Sequence, residues 1–271
     1  MFRIILGEFG VEYAAALPFS ACNVFAPDII ERRGVSVSEI KTALLFLVPY
    51  YVGGEEGGNI SVYARAHDYH YFFEKLYLEA IPKLSRAYGA RFLGFADKSA
   101  IGEVRAASAA GLGKIGDNGL IINEKYGSFV FIGEILTDAP PAAFGADERG
   151  AYEPSFCPHC GACKKACPMS EGLGCLSMVT QKKGELTPEE RDFILRHGSA
   201  WGCDICSAVC PFTKKAIEAG NETPIEFFRR DRIVHLTSGA VNAMDKAAFR
   251  ERAFAWRGKK TVLRNLEIFG E

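Results

Sequence analysis

The chain has 271 residues, 48% of them hydrophobic, enough for one large domain or two unequal ones with a sizeable core. Its 32 basic and 33 acidic residues leave a net charge of −1, which excludes a global electrostatic pull toward nucleic acid. No stretch approaches the roughly 20 apolar residues of a membrane helix. The best candidate, Ala43 to Pro49, is short and ends at a proline, so it reads as a buried strand. The opening MFRIILGEFG carries Glu8 and lacks a cationic leader, so no signal peptide and a cytoplasmic location are expected.

In chain order, residues 1–40 look helical in part. Lys41 to Tyr51 reads as a strand, followed by a flexible glycine-rich loop over 53–58. From Ser61 to about Tyr88, apolar residues recur at helical spacing (Tyr69, Phe72, Phe73, Leu76, Ile81, Leu84), which predicts a long amphipathic helix. A short apolar run, Phe92 to Ala96, ends at Asp97. An alanine-rich helix from about Ile101 to Ala110 is closed by Gly111. Leu120 to Asn123 and Ser128 to Leu136 read as strands joined by a turn around Lys125 to Gly127. Residues 138–154, rich in alanine, proline and glycine, read as a linker, and the segment after the last cysteine is helical in pattern. The whole predicts an α+β fold in three parts: an α+β domain over 1–150, a cluster domain over 151–220, and a helical segment over 221–271 that packs back on the core.

Nine cysteines occur, and eight of them lie between Cys157 and Cys210. A disulfide framework would be spread through a small secreted domain, so this crowding favours metal ligation. Cys157, Cys160, Cys163 and Cys167, followed by Pro168, form C-x2-C-x2-C-x3-C-P, the bacterial ferredoxin run. In that run three closely spaced thiolates wrap one cluster and the fourth is aimed at another. Zinc also suits four thiolates, but its ribbons usually use two separated C-x2-C pairs. Cys203, Cys206 and Cys210-Pro211 form a second run that is one cysteine short. By the crossover rule one 4Fe–4S cluster takes Cys157, Cys160, Cys163 and Cys210, and the second takes Cys167, Cys203 and Cys206. Loop closure favours the nearby Cys175 over the distant Cys22 as the missing ligand. Cys22, in an apolar setting, reads as a small buried thiol.

Gly111-Leu-Gly113-Lys-Ile-Gly116 satisfies G-x-G-x-x-G, yet a helix precedes it and a strand follows. A dinucleotide site needs the reverse order, so the glycines are read as permitting close approach of the backbone to a ligand. Asp97, just ahead of a predicted helix, is either its N-cap or an acid. His70 reads as a core histidine or a cofactor contact. His159, between two cluster cysteines, is expected at the surface or tuning a cluster.

Taken together, Tyr63-Ala-Arg-Ala-His-Asp-Tyr-His70, Asp97, Gly111 to Asn118, Gly127-Ser-Phe-Val-Phe-Ile-Gly-Glu-Ile-Leu-Thr-Asp138, the cysteine runs, Cys175-Leu-Ser-Met-Val-Thr180 and Leu263-Arg-Asn265 resemble the epoxyqueuosine reductases. These are cobalamin-dependent iron–sulfur enzymes, distantly similar to reductive dehalogenases. The resemblance implies a nitroreductase-like, corrinoid-binding α+β domain with an embedded ferredoxin-like double-cluster domain. It implies a cobalamin near His70, Asp97, Ser128, Ser177 and Thr180, with Asp97 as proton donor and Cys175 as the last cluster ligand. It further implies reduction of epoxyqueuosine to queuosine in tRNA, or of a related substrate, fed by an external low-potential donor of flavodoxin or ferredoxin type. The family usually has Glu-Arg at Glu103-Val104, tryptophan at Lys114 and lysine at Asp117. Many members continue into tRNA-gripping helical repeats, whereas this chain reads as a short form. Residues 225–271 carry a mild excess of Lys and Arg, which a solvated face explains as well as phosphate contacts do. A different class, a ferredoxin-like electron carrier without substrate chemistry of its own, is the alternative.

Overall fold

The computed structural model describes residues 1–147 and 150–270. The fold is α+β, and the chain forms two compact units. One comprises Met1–Pro49 and His70–Cys160, the other Tyr50–Tyr69 and Gly161–Glu271. The second unit thus takes in an excursion from the first half of the chain, a grouping that no linear division of the sequence contains. The expected linker over 138–154 includes residues 148 and 149, which lie outside the described residues.

The first unit is built on a four-stranded antiparallel sheet of order β1-β2-β6-β3, with β1 at Tyr13–Pro18, β2 at Thr42–Pro49, β3 at Phe92–Phe95 and β6 at Val130–Thr137. All eight residues of β2 are buried, which explains its unbroken apolar run: a central strand covered on both faces has no polar side to show. Ala43, Leu45 and Leu47 join one core with Ala106 and Ala107 of the helix Glu103–Ala109. On the opposite face Phe46 meets Phe73 of the helix Tyr69–Tyr88, ring centroids 6.1 Å apart.

The strand Tyr13–Pro18 stands where partial helix was expected. Its Tyr-Ala-Ala-Ala-Leu-Pro sequence has no strand preference, and pairing with β2 imposes the conformation. The long helix begins at Tyr69 rather than Ser61, because residues 62–64 form a 3-10 turn and His67 bridges to Arg252. Residues 121–122 (β5) pair with Lys114–Ile115 (β4), whereas β6 pairs with β2 and β3, so the two strands expected around the Lys125–Gly127 turn do not form a ladder. A single bridge, Asn123 to Gly127, marks that turn.

In the second unit, short helices surround an apolar core of Trp201, Phe254, Leu236, Val262 and Leu266. No helix among the described residues is long and apolar enough to cross a membrane.

Candidate active site and cluster ligands

All nine cysteines are free thiols. Five run cysteines and Cys175 lie in the second unit, and the closing cysteines of the two runs share one backbone setting. Cys167 and Cys210 are each extended (ψ 124° and 126°), each stands at the N-cap of a helical turn, and each is followed by a proline at N1. The cause is local: a residue before proline is pushed out of the α region, and proline suits the first helical position. Cys163 lies within the helix Ala162–Ala166 and Cys206 within Ile205–Ala208, and these two helices pack on each other, which brings the two runs together. Cys175 caps the helix Leu176–Thr180.

The second run is held by buried polar contacts. Asp204, between Cys203 and Cys206, accepts hydrogen bonds from the Ser61 hydroxyl (2.6 Å) and the Val62 amide (2.7 Å). The Ser61 amide donates to the Trp201 carbonyl, and the Trp201 indole donates to the Tyr63 hydroxyl. The fully buried Asn265 donates through its amide to the carbonyls of Thr180 (2.7 Å) and Ala200 (2.8 Å). That fastens the helix after Cys175 to the approach to Cys203. The excursion 50–69 and the Arg-Asn segment therefore have a shared purpose, which is to fix the cysteine-bearing loops.

Cys157 and Cys160 fall in the first unit. The Cys157 amide donates to the Ile115 carbonyl (3.0 Å), so β4 carries the start of the first run. His159 is exposed, with φ 53°, and its Nδ1 lies 2.7 Å from Asp117 Oδ1. Asp117, Cys157 and His159 bring their donor atoms within 4.8 Å of one another. Gly113 of the G-x-G-x-x-G segment serves this hairpin: a Cβ there would sit 2.6 Å from the Ile122 carbonyl oxygen.

Asp97 follows β3 in a left-handed conformation, φ 61°. It does not cap the next helix, whose N-cap is Gly102. Its carboxylate lies 3.4 Å from His70 Nε2, and both side chains are about half exposed, at 51% and 54%. His70 is thus a surface residue on the first turn of its helix, and the core alternative fails. Sequence reasoning missed two carboxyls nearby, Glu103, which feels the Asp97 charge, and Glu134, which feels that of Glu103. Burial and the Asp97 charge push Glu103 up to about 7. Glu134, in mid-β6 and only 1% exposed, is pushed up to about 8 by burial, against a hydrogen bond from Ser99 and with help from the Glu103 charge. The available signal was a charged residue inside the apolar strand Val-Phe-Ile-Gly-Glu-Ile-Leu-Thr.

Ser128 is buried, at 3%. Thr180 is fully buried, and its hydroxyl donates to the Ser177 carbonyl (2.9 Å) and accepts from the Gly202 amide (3.0 Å). Ser177 is partly exposed and accepts from the Gln181 side chain. Cys22 packs against the first unit's core, where burial first and the Glu134 charge second push its thiol up to about 12.

An epoxyqueuosine reductase from Listeria monocytogenes is 31% identical over 259 residues, covering 89% of this chain and 65% of its own length. The chain is similar to the epoxyqueuosine reductases over most of its length. It spans a little under two thirds of that relative. The fold agrees. An epoxyqueuosine reductase structure from Streptococcus thermophilus superposes with a TM-score of 0.75 at 24% identity, over 98% of this chain and 79% of that one. Another epoxyqueuosine reductase, solved with an epoxyqueuosine-modified tRNA-Tyr stem loop, gives a TM-score of 0.74 at 21% identity and the same coverage. No family model matches the sequence.

Proposed function

We propose that this protein is a corrinoid-dependent iron–sulfur reductase of the epoxyqueuosine type, acting on epoxyqueuosine in tRNA. The observation that carries the proposal is the set of eight free cysteines between Cys157 and Cys210, with Cys167 and Cys210 fixed on matching proline-led turns, in a chain 31% identical to an epoxyqueuosine reductase. Their donor chemistry suits two 4Fe–4S clusters, one on Cys157, Cys160, Cys163 and Cys210, the other on Cys167, Cys175, Cys203 and Cys206. Cys22 is held as a neutral thiol and takes no part.

Converting an epoxide to an alkene and water consumes two electrons and two protons. When bound, the corrinoid supplies a centre at which electrons arriving singly from the clusters are gathered. In the first unit the half-exposed polar atoms of His70 and Asp97 suit contact with it. Thr180 does not fit that role, since its buried hydroxyl is spent on two backbone groups. The Asp97 carboxyl donates a proton to the departing oxygen, and His70 orients that carboxyl from 3.4 Å. The substrate is a tRNA, a reading supported by the related enzyme solved with an epoxyqueuosine-modified tRNA stem loop. Electrons come from a flavodoxin or ferredoxin, in the cytoplasm.

Asp97→Asn tests this reading. After anaerobic reconstitution the variant keeps its iron and its cobalamin-induced spectral shift, but reduces epoxyqueuosine-tRNA roughly 10²–10⁴-fold more slowly. Equal turnover refutes the role of Asp97. Wild-type protein that shows clusters but no cobalamin shift is instead an electron carrier.

A further inference from the structure

The loop that presents Asp97 is fastened at three levels. At its start the Tyr77 hydroxyl donates to the Phe95 carbonyl and accepts from the Glu134 amide (3.4 Å). The Tyr77 ring fills the space Gly94 leaves, where any Cβ would come within 2.4 Å of it. At its end the Ala100 carbonyl accepts from the Phe25 and Ala26 amides, and the Gly102 amide donates to the Asn23 carbonyl. Between these, Ser99 reaches into the sheet. Its hydroxyl donates to Glu134 Oε2 (2.5 Å) and accepts from the Ile101 amide (2.9 Å).

Glu134 is an expensive residue to place there. It is paired across the ladder with Leu45 and Phe95, in the most covered part of the sheet, and its Oε1 has no hydrogen-bond partner. An apolar side chain would avoid the cost of burying a carboxyl. Asp97, meanwhile, holds a left-handed conformation that a non-glycine residue keeps only when its surroundings over-determine it. The two facts explain each other.

We propose that Glu134 is a positioning residue for the reaction, holding Ser99 from the rigid centre of the sheet so that residues 96–101 keep Asp97 aimed at the substrate. This rests on Asp97 being the proton donor. Glu134 touches no reacting atom. It is also distinct from a proton carrier, a role that the intervening Glu103 would otherwise suggest, and the two roles separate on one substitution. Glutamine accepts the Ser99 hydrogen bond through its carbonyl oxygen but cannot release a proton.

The experiment compares Glu134→Gln, Glu134→Leu and Ser99→Ala in the full, cluster-reconstituted chain. Amide hydrogen exchange over 96–101 is read against 44–48 as internal reference. Losing one net hydrogen bond predicts about tenfold faster loop exchange in Glu134→Leu and Ser99→Ala, with the reference unchanged. Glu134→Gln stays within about twofold of wild type, since its bond to Ser99 survives. In turnover, the first two lower kcat with KM for the tRNA substrate unchanged, and Glu134→Gln restores it. Unchanged loop exchange in both Glu134→Leu and Ser99→Ala overturns the proposal. So does a Glu134→Gln variant whose loop is protected but whose turnover is lost, which would make Glu134 a proton carrier. If wild type does not reduce the substrate, the functional reading fails, and the exchange comparison alone decides the latch.

Discussion

Glu134→Gln has a second consequence, in how stability depends on pH. A carboxyl whose folded value lies near 8, against an ordinary 4.5, binds its proton more tightly in the native state. Its contribution to stability is therefore complete at low pH and is lost as pH rises through about 8. At pH 6 the unfolded chain has already ionised this group while the native state has not. From pH 6 to 9 the native state gives up about two pH units of linkage, about 3 kcal/mol at 1.36 kcal/mol per unit. Glutamine removes this dependence, so the variant's profile should be flatter by about that amount, with the smaller slope from Glu103 remaining. Cys22 supplies the assay. Its partly buried thiol packs against the same core, and burial pushes it up to about 12, so it labels slowly until the first unit opens. Urea titrations at pH 6 and pH 9, each followed by a short pulse of thiol reagent and quantified on the Cys22 peptide, report that unit's unfolding midpoint. For urea slopes of about 1–3 kcal/mol/M, the wild-type midpoint should fall by roughly 1–3 M more than that of Glu134→Gln. Parallel pH profiles for the two proteins would mean that Glu134 is ionised in the folded state, and would refute the argument.

The ligand assignment is checked by iron analysis after anaerobic reconstitution. Cys175→Ser should bring iron from about eight atoms per chain toward four, whereas Cys22→Ser should leave it unchanged, and the reverse pattern would exchange their roles. Asn265→Ala should cost about 2–4 kcal/mol, because it strands the buried carbonyls of Thr180 and Ala200 and opens a cavity. A variant that melts like wild type and holds its iron equally long would show that Asn265 does not clamp the cysteine loops.

What the sequence revealed, and what it hid, follow from the range of the interactions involved. The cysteine runs were legible because their settings are local: Cys167-Pro168 and Cys210-Pro211 fix their own backbone through the proline. The strand Thr42–Pro49 was legible because burial on both faces leaves an unbroken apolar run. Tyr13–Pro18 was not, because its alanines prefer a helix and only the neighbouring strand makes them extended. His70 looked like a core residue because it follows aromatic neighbours on a helical stripe, yet it faces Asp97 at the surface. Asp97 looked like a cap because a helix lies six residues on, but the intervening loop is set by Tyr77, Ser99 and Glu134, and none of those contacts is written in local spacing.

The three departures from family usage can now be weighed by their neighbours. Val104 is partly buried and packs against the first unit's apolar core, where a longer charged side chain would need a partner. Asp117 accepts the His159 imidazole beside Cys157, and a lysine in its place would set a cation against that ring. Lys114 is an exposed residue of β4, whose ladder partner is Ile122. These differences therefore answer to packing, to the support of the first cluster ligand and to a solvated strand. The parts that would have to be preserved for proton donation are the carboxyl at 97, the glycine at 94 that admits Tyr77, the hydroxyl at 99 and the carboxyl at 134, and this chain has all four. A different substrate would be reflected first in groups that touch it, and the departures at Val104 and Asp117 are instead committed to neighbours inside the first unit. That favours epoxyqueuosine-tRNA as the substrate to assay first.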